Sequence, residues 1–313
     1  MRLRYPLLAF AAVLAATPAL AAPRVVASIQ PVHALVAGVM QGVAEPRLLV
    51  PAGRSPHGYQ LRPSEAEALR DADLVVWVGE ALETFLVEPV EALAGSGKVL
   101  ELMDAPGMAL LDSREGGAWD AHEDHDGHAG GHDHGHGHDA FDPHIWLSAA
   151  NARAIVGAAA TALAEADPPN AAAYAANAAR LDTQIDGLET ELAAQLAPVR
   201  AKPFIVLHDA FQYFDRAFDL AGVGSITVNP DRPPSAKRLR ELRQKIAAGD
   251  AVCVFAEPQT SDRLVASIVE GTGARTGMLD AEGSAGLPPG AEGYFALMRR
   301  NARALADCLS RSS

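Results

Sequence analysis

The chain has 313 residues, of which 49% are hydrophobic, and its formal net charge is −13 at pH 7. A protein this acidic repels nucleic acids and anionic lipid surfaces, so a role in nucleic-acid binding is excluded and a cationic ligand is favoured. The length allows two domains.

The N-terminus has the three parts of a secretory signal peptide. Arg2 and Arg4 supply positive charge, an apolar run covers residues 7–14, and an A-x-A cleavage site lies at residues 19–21. The apolar run is too short to span a bilayer. We therefore predict a signal peptide over residues 1–21. The alternative is an unusual apolar N-terminal helix.

Removal of this peptide takes away two arginines and leaves a mature net charge of −15. No cysteine near the cleavage site could carry a lipid, and no later segment has the roughly 20 uninterrupted apolar residues of a membrane helix. These features predict a free protein of the periplasm.

Two sets of short apolar runs predict strands. The first set covers residues 24–29, 47–50, 74–79 and 99–102, and the second covers residues 204–208, 225–228, 251–257 and 275–280. Helical patterns separate the runs, and short continuous runs are typical of parallel strands buried on both faces. We predict an α/β fold with two lobes, each with a parallel sheet flanked by helices.

A long helical pattern separates the two sets. Asp167 and Pro168 suit a helix start, and Pro198 ends the pattern. Between them the apolar residues recur at steps of three and four, at Leu181, Ile185, Leu188, Leu192 and Leu196. A helix of about 30 residues would extend ~45 Å as a rigid connector. We predict an N-terminal lobe over residues 22–166, a connecting helix over 167–198 and a C-terminal lobe over 199–313.

Residues 120–139 contain seven of the eleven histidines, separated only by acidic residues, glycine and alanine. The seven are His122, His125, His128, His132, His134, His136 and His138. This segment cannot build a core, whereas dense histidine and aspartate tracts are typical of metal binding. Nine acidic residues and one arginine occur over residues 112–142. We therefore predict a disordered, histidine-rich, metal-binding loop at 112–142.

Two of the four remaining histidines, His57 and His208, occur at the edge of a predicted sheet where a ligand site is expected. His208 ends a predicted strand, and open parallel sheets bind ligands beyond the carboxyl ends of their strands. His57 follows a predicted strand, His144 lies where the loop ends, and Asp280 ends the last predicted strand. His33, within a helical pattern, is interpreted as structural. The alternative for each of the three histidines is a hydrogen-bonded loop position, and Asp280 could cap a turn.

Cys253 and Cys308 are the only cysteines. Two cysteines in an exported chain permit one disulfide, which an oxidising compartment favours. Two buried thiols are the alternative.

Five separated motifs resemble, in order, those of the solute-binding proteins of metal-uptake ABC transporters. They are SPHGYQLRPSEAEAL, DPHIWLS, LHDAFQYF, EPQTS and LD, and the resemblance covers essentially the whole mature chain. The histidine-rich insertion before DPHIW points to the zinc-uptake branch, the ZnuA-like proteins. The resemblance implies two α/β lobes joined by one long helix, and it is consistent with a disulfide in the second lobe.

The resemblance also implies a ligand set. The histidines of the first three motifs fall on His57, His144 and His208, and the acidic residue of the LD motif falls on Asp280. The chain departs from the family pattern beside the first histidine and after LD, so water is the alternative fourth ligand. Three neutral imidazoles favour Zn²⁺ over Mg²⁺ and Ca²⁺, although Cu²⁺ would bind more tightly.

Nearby carboxylates are expected to orient the imidazole rings of such a site. Glu257 and Asp209 lie within two of the motifs and are the candidates.

These features predict a protein that binds Zn²⁺ and delivers it to an ABC transporter permease with a cytoplasmic ATPase. The loop would capture zinc or assist its transfer, the protein would be a monomer, and a periplasmic zinc-donating chaperone is a further candidate partner. One alternative is a zinc store or chaperone that uses only the loop. The other is a secreted zinc hydrolase, because three histidines with an open position also describe a catalytic site. No general base occurs in a known spacing, so we do not predict an enzyme.

Overall fold

The computed structural model describes residues 22–94, 99–114, 141–228, 233–259, 263–284 and 286–310. The predicted signal peptide and all seven histidines of the loop lie outside these residues. Within the described ranges, no helix is both long and apolar enough to cross a membrane.

The first lobe has a four-stranded parallel sheet. Its strands are β1 (Val25–Ala27), β2 (Arg47–Leu48), β3 (Leu74–Trp77) and β4 (Val99–Glu101), in the spatial order β2-β1-β3-β4. Its helices are α1 (Gln30–Val39), α2 (Pro63–Asp71), α3 (Val87–Ala94) and α4 (Ala149–Ala166). The central strands β1 and β3 are fully buried, whereas the edge strands β2 and β4 are partly exposed. In this lobe, the prediction of burial on both faces is confirmed for β1 and β3 and is wrong for β2 and β4.

The second lobe repeats this arrangement. Its strands are β5 (Phe204–His208), β6 (Gly222–Thr227), β7 (Cys253–Ala256) and β8 (Arg275–Met278), in the spatial order β6-β5-β7-β8. Its helices are α6 (Gln212–Phe218), α7 (Ala236–Ala247), α8 (Arg263–Val269) and α9 (Glu292–Ser310). A disulfide between Cys253 and Cys308 joins β7 to α9. The predicted fold class and the predicted disulfide are confirmed.

The connecting helix is α5 (Ala171–Leu196), with short 3-10 turns at Pro168–Asn170 and Ala197–Val199. Its 26 residues extend roughly 39 Å. The predicted apolar stripe is buried and packs on α1 and α4 of the first lobe and on α6 and α9 of the second. One hydrophobic cluster therefore continues through both lobes.

Asp167 has a different role from the predicted helix cap. Its side chain makes no capping hydrogen bond to the backbone. Instead, its Oδ2 accepts hydrogen bonds from Asn170 Nδ2 at 2.8 Å and from the Tyr174 hydroxyl at 2.7 Å. The carboxylate thus fixes the first turns of the connector to the end of α4.

Candidate metal centre

Three histidines come together where the two lobes meet. His57 follows β2, His208 is the last residue of β5, and His144 precedes a 3-10 turn at Ile145–Leu147. One ring nitrogen of each lies within 4.8 Å of the others, and the ring centroids are 5.1 to 5.6 Å apart. Among the described residues, this is the only group of three or more histidine, cysteine or acidic side chains that could hold a metal ion.

The two most buried rings each have a carboxylate behind them. Nδ1 of His208 lies 2.5 Å from Oε1 of Glu257, and Nδ1 of His144 lies 2.7 Å from Oδ1 of Asp142. The same Oδ1 accepts the backbone N–H of His144 at 3.0 Å. Because an ionised carboxylate only accepts hydrogen bonds, Nδ1 of each ring donates to its carboxylate, and Nε2 of each ring is the atom that can bind a metal ion or a second proton.

These two Nε2 atoms face each other. They are 3.2 Å apart, and Nε2 of His57 is buried without a hydrogen-bond partner. Two nitrogen lone pairs at this separation repel unless a proton or a cation lies between them. Nitrogens bound to a tetrahedral zinc ion are separated by roughly 3.3 Å, given Zn–N bonds of about 2.05 Å. The spacing of the imidazoles therefore suits a zinc ion.

The surrounding charges determine where a proton is held when no metal is bound. Burial lowers the pKa of His208, but the nearby carboxylates, that of Glu257 before those of Glu282 and Asp209, together raise that pKa to about 9. Burial holds the pKa values of His57 and His144 well below the ordinary 6.5, and the adjacent histidines lower them further. At neutral pH the proton on His208 therefore bridges to His144, and an incoming metal ion must displace it.

Asp280 lies two residues beyond β8, and its carboxylate is not part of the three-histidine group. Oδ1 accepts the backbone N–H of Gly283 at 2.9 Å, and Oδ2 accepts that of Ser284 at 2.7 Å. Arg300 Nη1 lies 3.6 Å from Oδ2. The carboxylate therefore organises the turn over residues 280–284. Gln259 Nε2 also donates to Oδ1, at 3.4 Å, so these contacts together use the roughly four lone-pair positions that a carboxylate offers.

The sequence motifs did not single out Asp142 as a partner of an imidazole ring. Asp209, which we expected to orient a ring, instead binds Arg114 through Nε at 3.1 Å, and Asp142 takes the expected place. A signal was available, because an aspartate commonly accepts the backbone N–H two residues later and so lies close to that residue's side chain. The other prediction, that Glu257 orients a ring, is confirmed.

His33 is the remaining histidine of the described chain. It lies in α1, and its Nε2 is 2.9 Å from the carbonyl oxygen of Pro46, to which it donates a hydrogen bond. The structural role predicted for it is confirmed.

A family model described as "ZnuA: Zinc-uptake complex component A periplasmic" matches residues 25–308. The chain is 43% identical over 317 residues to the high-affinity zinc uptake system protein ZnuA of Brucella suis biovar 1 (strain 1330), and the alignment covers 92% of each protein. It is 41% identical to the protein of the same name from Paracoccus denitrificans (strain Pd 1222), with 94% of each covered.

Solved structures share the fold. A crystal structure of ZnuA matches with a TM-score of 0.75 at 26% identity, covering 92% of this chain and 99% of that one. The periplasmic zinc binding protein TroA from Treponema pallidum matches with a TM-score of 0.76, covering 93% of this chain and 100% of that one. Its identity is 23%, so this likeness concerns the fold alone.

Proposed function

Because the chain belongs to the ZnuA family of periplasmic zinc-uptake components, we propose that it binds Zn²⁺ at His57, His144 and His208 and delivers it to an ABC transporter permease. The observation that carries this proposal is the 3.2 Å separation of the two facing Nε2 atoms. Their opposite nitrogens are held by carboxylates, an arrangement that fixes the ring orientation and increases ligand basicity. Imidazole ligands select against Mg²⁺ and Ca²⁺, which prefer oxygen.

The fourth ligand is Asp280, with a water molecule as the alternative. Because its carboxylate lies outside the histidine group, ligation requires the turn over residues 280–284 to move toward the histidines. In Asp280→Asn, a loss of zinc affinity of about tenfold or more, beyond any loss of stability in the metal-free protein, supports ligation. An unchanged affinity assigns the position to water.

The remaining features complete this proposal. Residues 1–21 are removed on export, residues 22–166 and 199–313 form the lobes, and residues 167–198 connect them. The protein is a periplasmic monomer and not an enzyme. Its partners are the permease with its cytoplasmic ATPase and a periplasmic zinc-donating chaperone. The seven histidines of the loop supply weaker sites that capture zinc and pass it to the site between the lobes.

Competition titration of the chain lacking residues 120–139 tests the division between loop and site. One tight zinc site is expected to persist while the weaker sites disappear. Loss of all tight binding would instead indicate that the protein is a zinc store that uses only the loop. Turnover of an ester substrate by the zinc-loaded protein would establish a hydrolase.

Single substitutions test the ligands. His57→Ala, His144→Ala and His208→Ala are each expected to weaken zinc binding by more than about 100-fold, the upper range for removing a group that only supports a ligand. The matched control is His33→Ala, which removes a partly buried histidine that bonds a backbone carbonyl. Equal losses in all four variants would contradict the proposed site.

A further inference from the structure

The two segments that flank residues 115–140 pair with each other. Asp112 and Phe141 form an antiparallel bridge, and the backbone N–H of Asp142 donates to the carbonyl oxygen of Leu111 at 2.8 Å. We call residues 111–114 and 141–142 the stem. No residue of the stem is among the three histidines proposed to bind zinc, so the proposed function gives the stem no role.

Side chains of the second lobe hold the stem at two points. The Tyr213 hydroxyl, on α6, accepts the backbone N–H of Leu111 at 3.0 Å and donates to the carbonyl oxygen of Asp142 at 2.8 Å. Arg114 directs its guanidinium at Asp209, with Nε 3.1 Å from Oδ1 and 3.2 Å from Oδ2. Tyr213 and Asp209 are buried, so water competes little for these contacts.

Both attachments involve a residue close in sequence to one of the zinc-binding histidines. Tyr213 fixes the backbone of Asp142, whose carboxylate in turn bonds both the ring and the backbone N–H of His144. Asp209 directly follows His208 in the chain. A shift of the stem relative to the second lobe would therefore change the separation of the two facing imidazoles.

The stem also lines the approach to the histidines. A cavity of about 180 Å³ lies against His57 and His144, and Ser113, Arg114 and Phe141 form part of its wall. Loosening the stem would both enlarge this cavity and release the imidazoles from their relative orientation.

We propose that the stem is a clasp between the lobes, in which Tyr213 and Arg114 are positioning residues that hold His144 and His208 at zinc-ligand separation and so limit the rate of zinc release. This inference rests on the proposed function and deepens it. Neither side chain contacts the metal in this scheme. Each acts through a neighbour of a ligand.

Tyr213→Phe is the most conservative test, because it removes one hydroxyl and with it both hydrogen bonds to the stem. Removal of groups that support metal ligands typically weakens metal affinity about 10- to 100-fold. If the association rate is unchanged, we expect zinc release to become faster by about the same factor. Arg114→Gln is expected to act in the same direction. Arg114→Lys keeps the positive charge that Arg114→Gln removes but lacks the planar guanidinium group. We expect its zinc release to be slower than that of Arg114→Gln and faster than that of the wild type.

Two control variants match the chemistry and the burial. Tyr174→Phe removes a buried hydroxyl that donates to Asp167 at 2.7 Å on the connecting helix. Arg153→Gln removes a partly buried arginine that pairs with Asp186 at 2.8 Å. Both controls should lower the thermal stability of the metal-free protein without changing zinc release.

The measurement is stopped-flow transfer of zinc from the full chain, loaded with one equivalent, to an excess of a chromophoric chelator, alongside the Tm of each metal-free variant. Fast release in Tyr213→Phe and Arg114→Gln, with wild-type release in the controls, supports the clasp. Release at the wild-type rate in the two clasp variants, or release that simply follows Tm across all variants, overturns it and leaves the proposed function intact. If the wild-type chain retains no zinc, both the clasp and the proposed function are overturned. If Arg114→Gln does not fold, Arg114→Lys carries the same comparison.

Discussion

Zinc binding should release a proton from His208. The metal-free site holds this proton because the pKa of His208 is raised to about 9 by the Glu257 carboxylate despite the burial of the ring. Zinc needs the Nε2 lone pair, so the ion and the proton compete for one atom. The apparent affinity for zinc is therefore expected to rise with pH throughout the range in which His208 is protonated.

The magnitude follows from the distance between the working pH and the pKa. At pH 7 the proton is held about two pH units below a pKa of about 9, so apparent zinc affinity should be roughly 100-fold weaker than its limit at high pH, or about 3 kcal/mol. The slope should approach one decade per pH unit between pH 7 and 8.5. His57 and His144, whose pKa values are lowered well below 6.5, add no slope in this range.

The assay is competition with a zinc chelator from pH 6.5 to 9.5 at constant ionic strength, in the chain lacking residues 120–139. Calorimetry at pH 7.5 in buffers of different ionisation enthalpy should show release of about one proton. A flat affinity profile between pH 7.5 and 8.5, together with no proton release, would show that zinc and a proton do not compete for His208.

Substituting the carboxylates identifies the cause. Glu257→Gln removes the charge that raises the pKa of His208, so the slope above pH 7.5 should flatten and the proton release should decrease. The matched control is Glu83→Gln. Glu83 is also fully buried, and its carboxylate accepts the backbone N–H groups of Val78 and Gly79 rather than touching a histidine. This control should keep the wild-type slope.

The same proton affects the stability of the metal-free fold. Because the folded-state pKa of His208 lies above the ordinary 6.5, its stabilising contribution is complete below pH 6.5 and is lost as the pH rises through about 9. Burial raises the pKa values of Glu83, Asp142 and Asp215 to about 7, so these groups are ionised before pH 8.5. The Tm of the metal-free protein should therefore fall between pH 8 and 9.5, and a rise would contradict the assignment.

Three further predictions concern the scaffold. Leu188→Ala on α5 removes a side chain that is 1% exposed, and it should lower the free energy of unfolding in urea by about 2–5 kcal/mol while leaving one tight zinc site. Replacing Cys253 and Cys308 together by alanine opens a disulfide across 55 residues and should cost ~2–4 kcal/mol by the same measurement, with little effect on zinc affinity. Because one hydrophobic cluster and α5 continue through both lobes, X-ray scattering of metal-free and zinc-bound protein should differ only slightly. A change as large as that of a wide-hinged binding protein would contradict a rigid connector.

Sequence patterns locate the strands of both sheets but predict their ends less well. β5 has the predicted bounds, residues 204–208, whereas β7, which also lies between two strands, covers Cys253–Ala256 instead of the predicted 251–257. The run at 275–280 predicts a strand that ends at Asp280, but β8 ends at Met278. Asp280 turns back to bond Gly283 and Ser284, and β8 pairs with β7 alone. The apolar content of the sequence does not show at which residue the hydrogen bonding of an edge strand to its single neighbour ends.

Composition, periodicity and motifs are local properties of the chain, and they predict much of the chemistry of this protein. They indicate an exported chain with two α/β lobes, a rigid connector and three histidines in motifs that resemble those of zinc-binding proteins. Which groups meet follows only from the folded chain. Residues 57, 144 and 208 are far apart in sequence. Their ring nitrogens come within 4.8 Å of one another, and those of residues 144 and 208 within 3.2 Å, only because of how the lobes pack. The same packing places Arg114 against Asp209, 95 residues away in the chain, since contacts between distant segments follow from burial of the shared core and leave no local pattern.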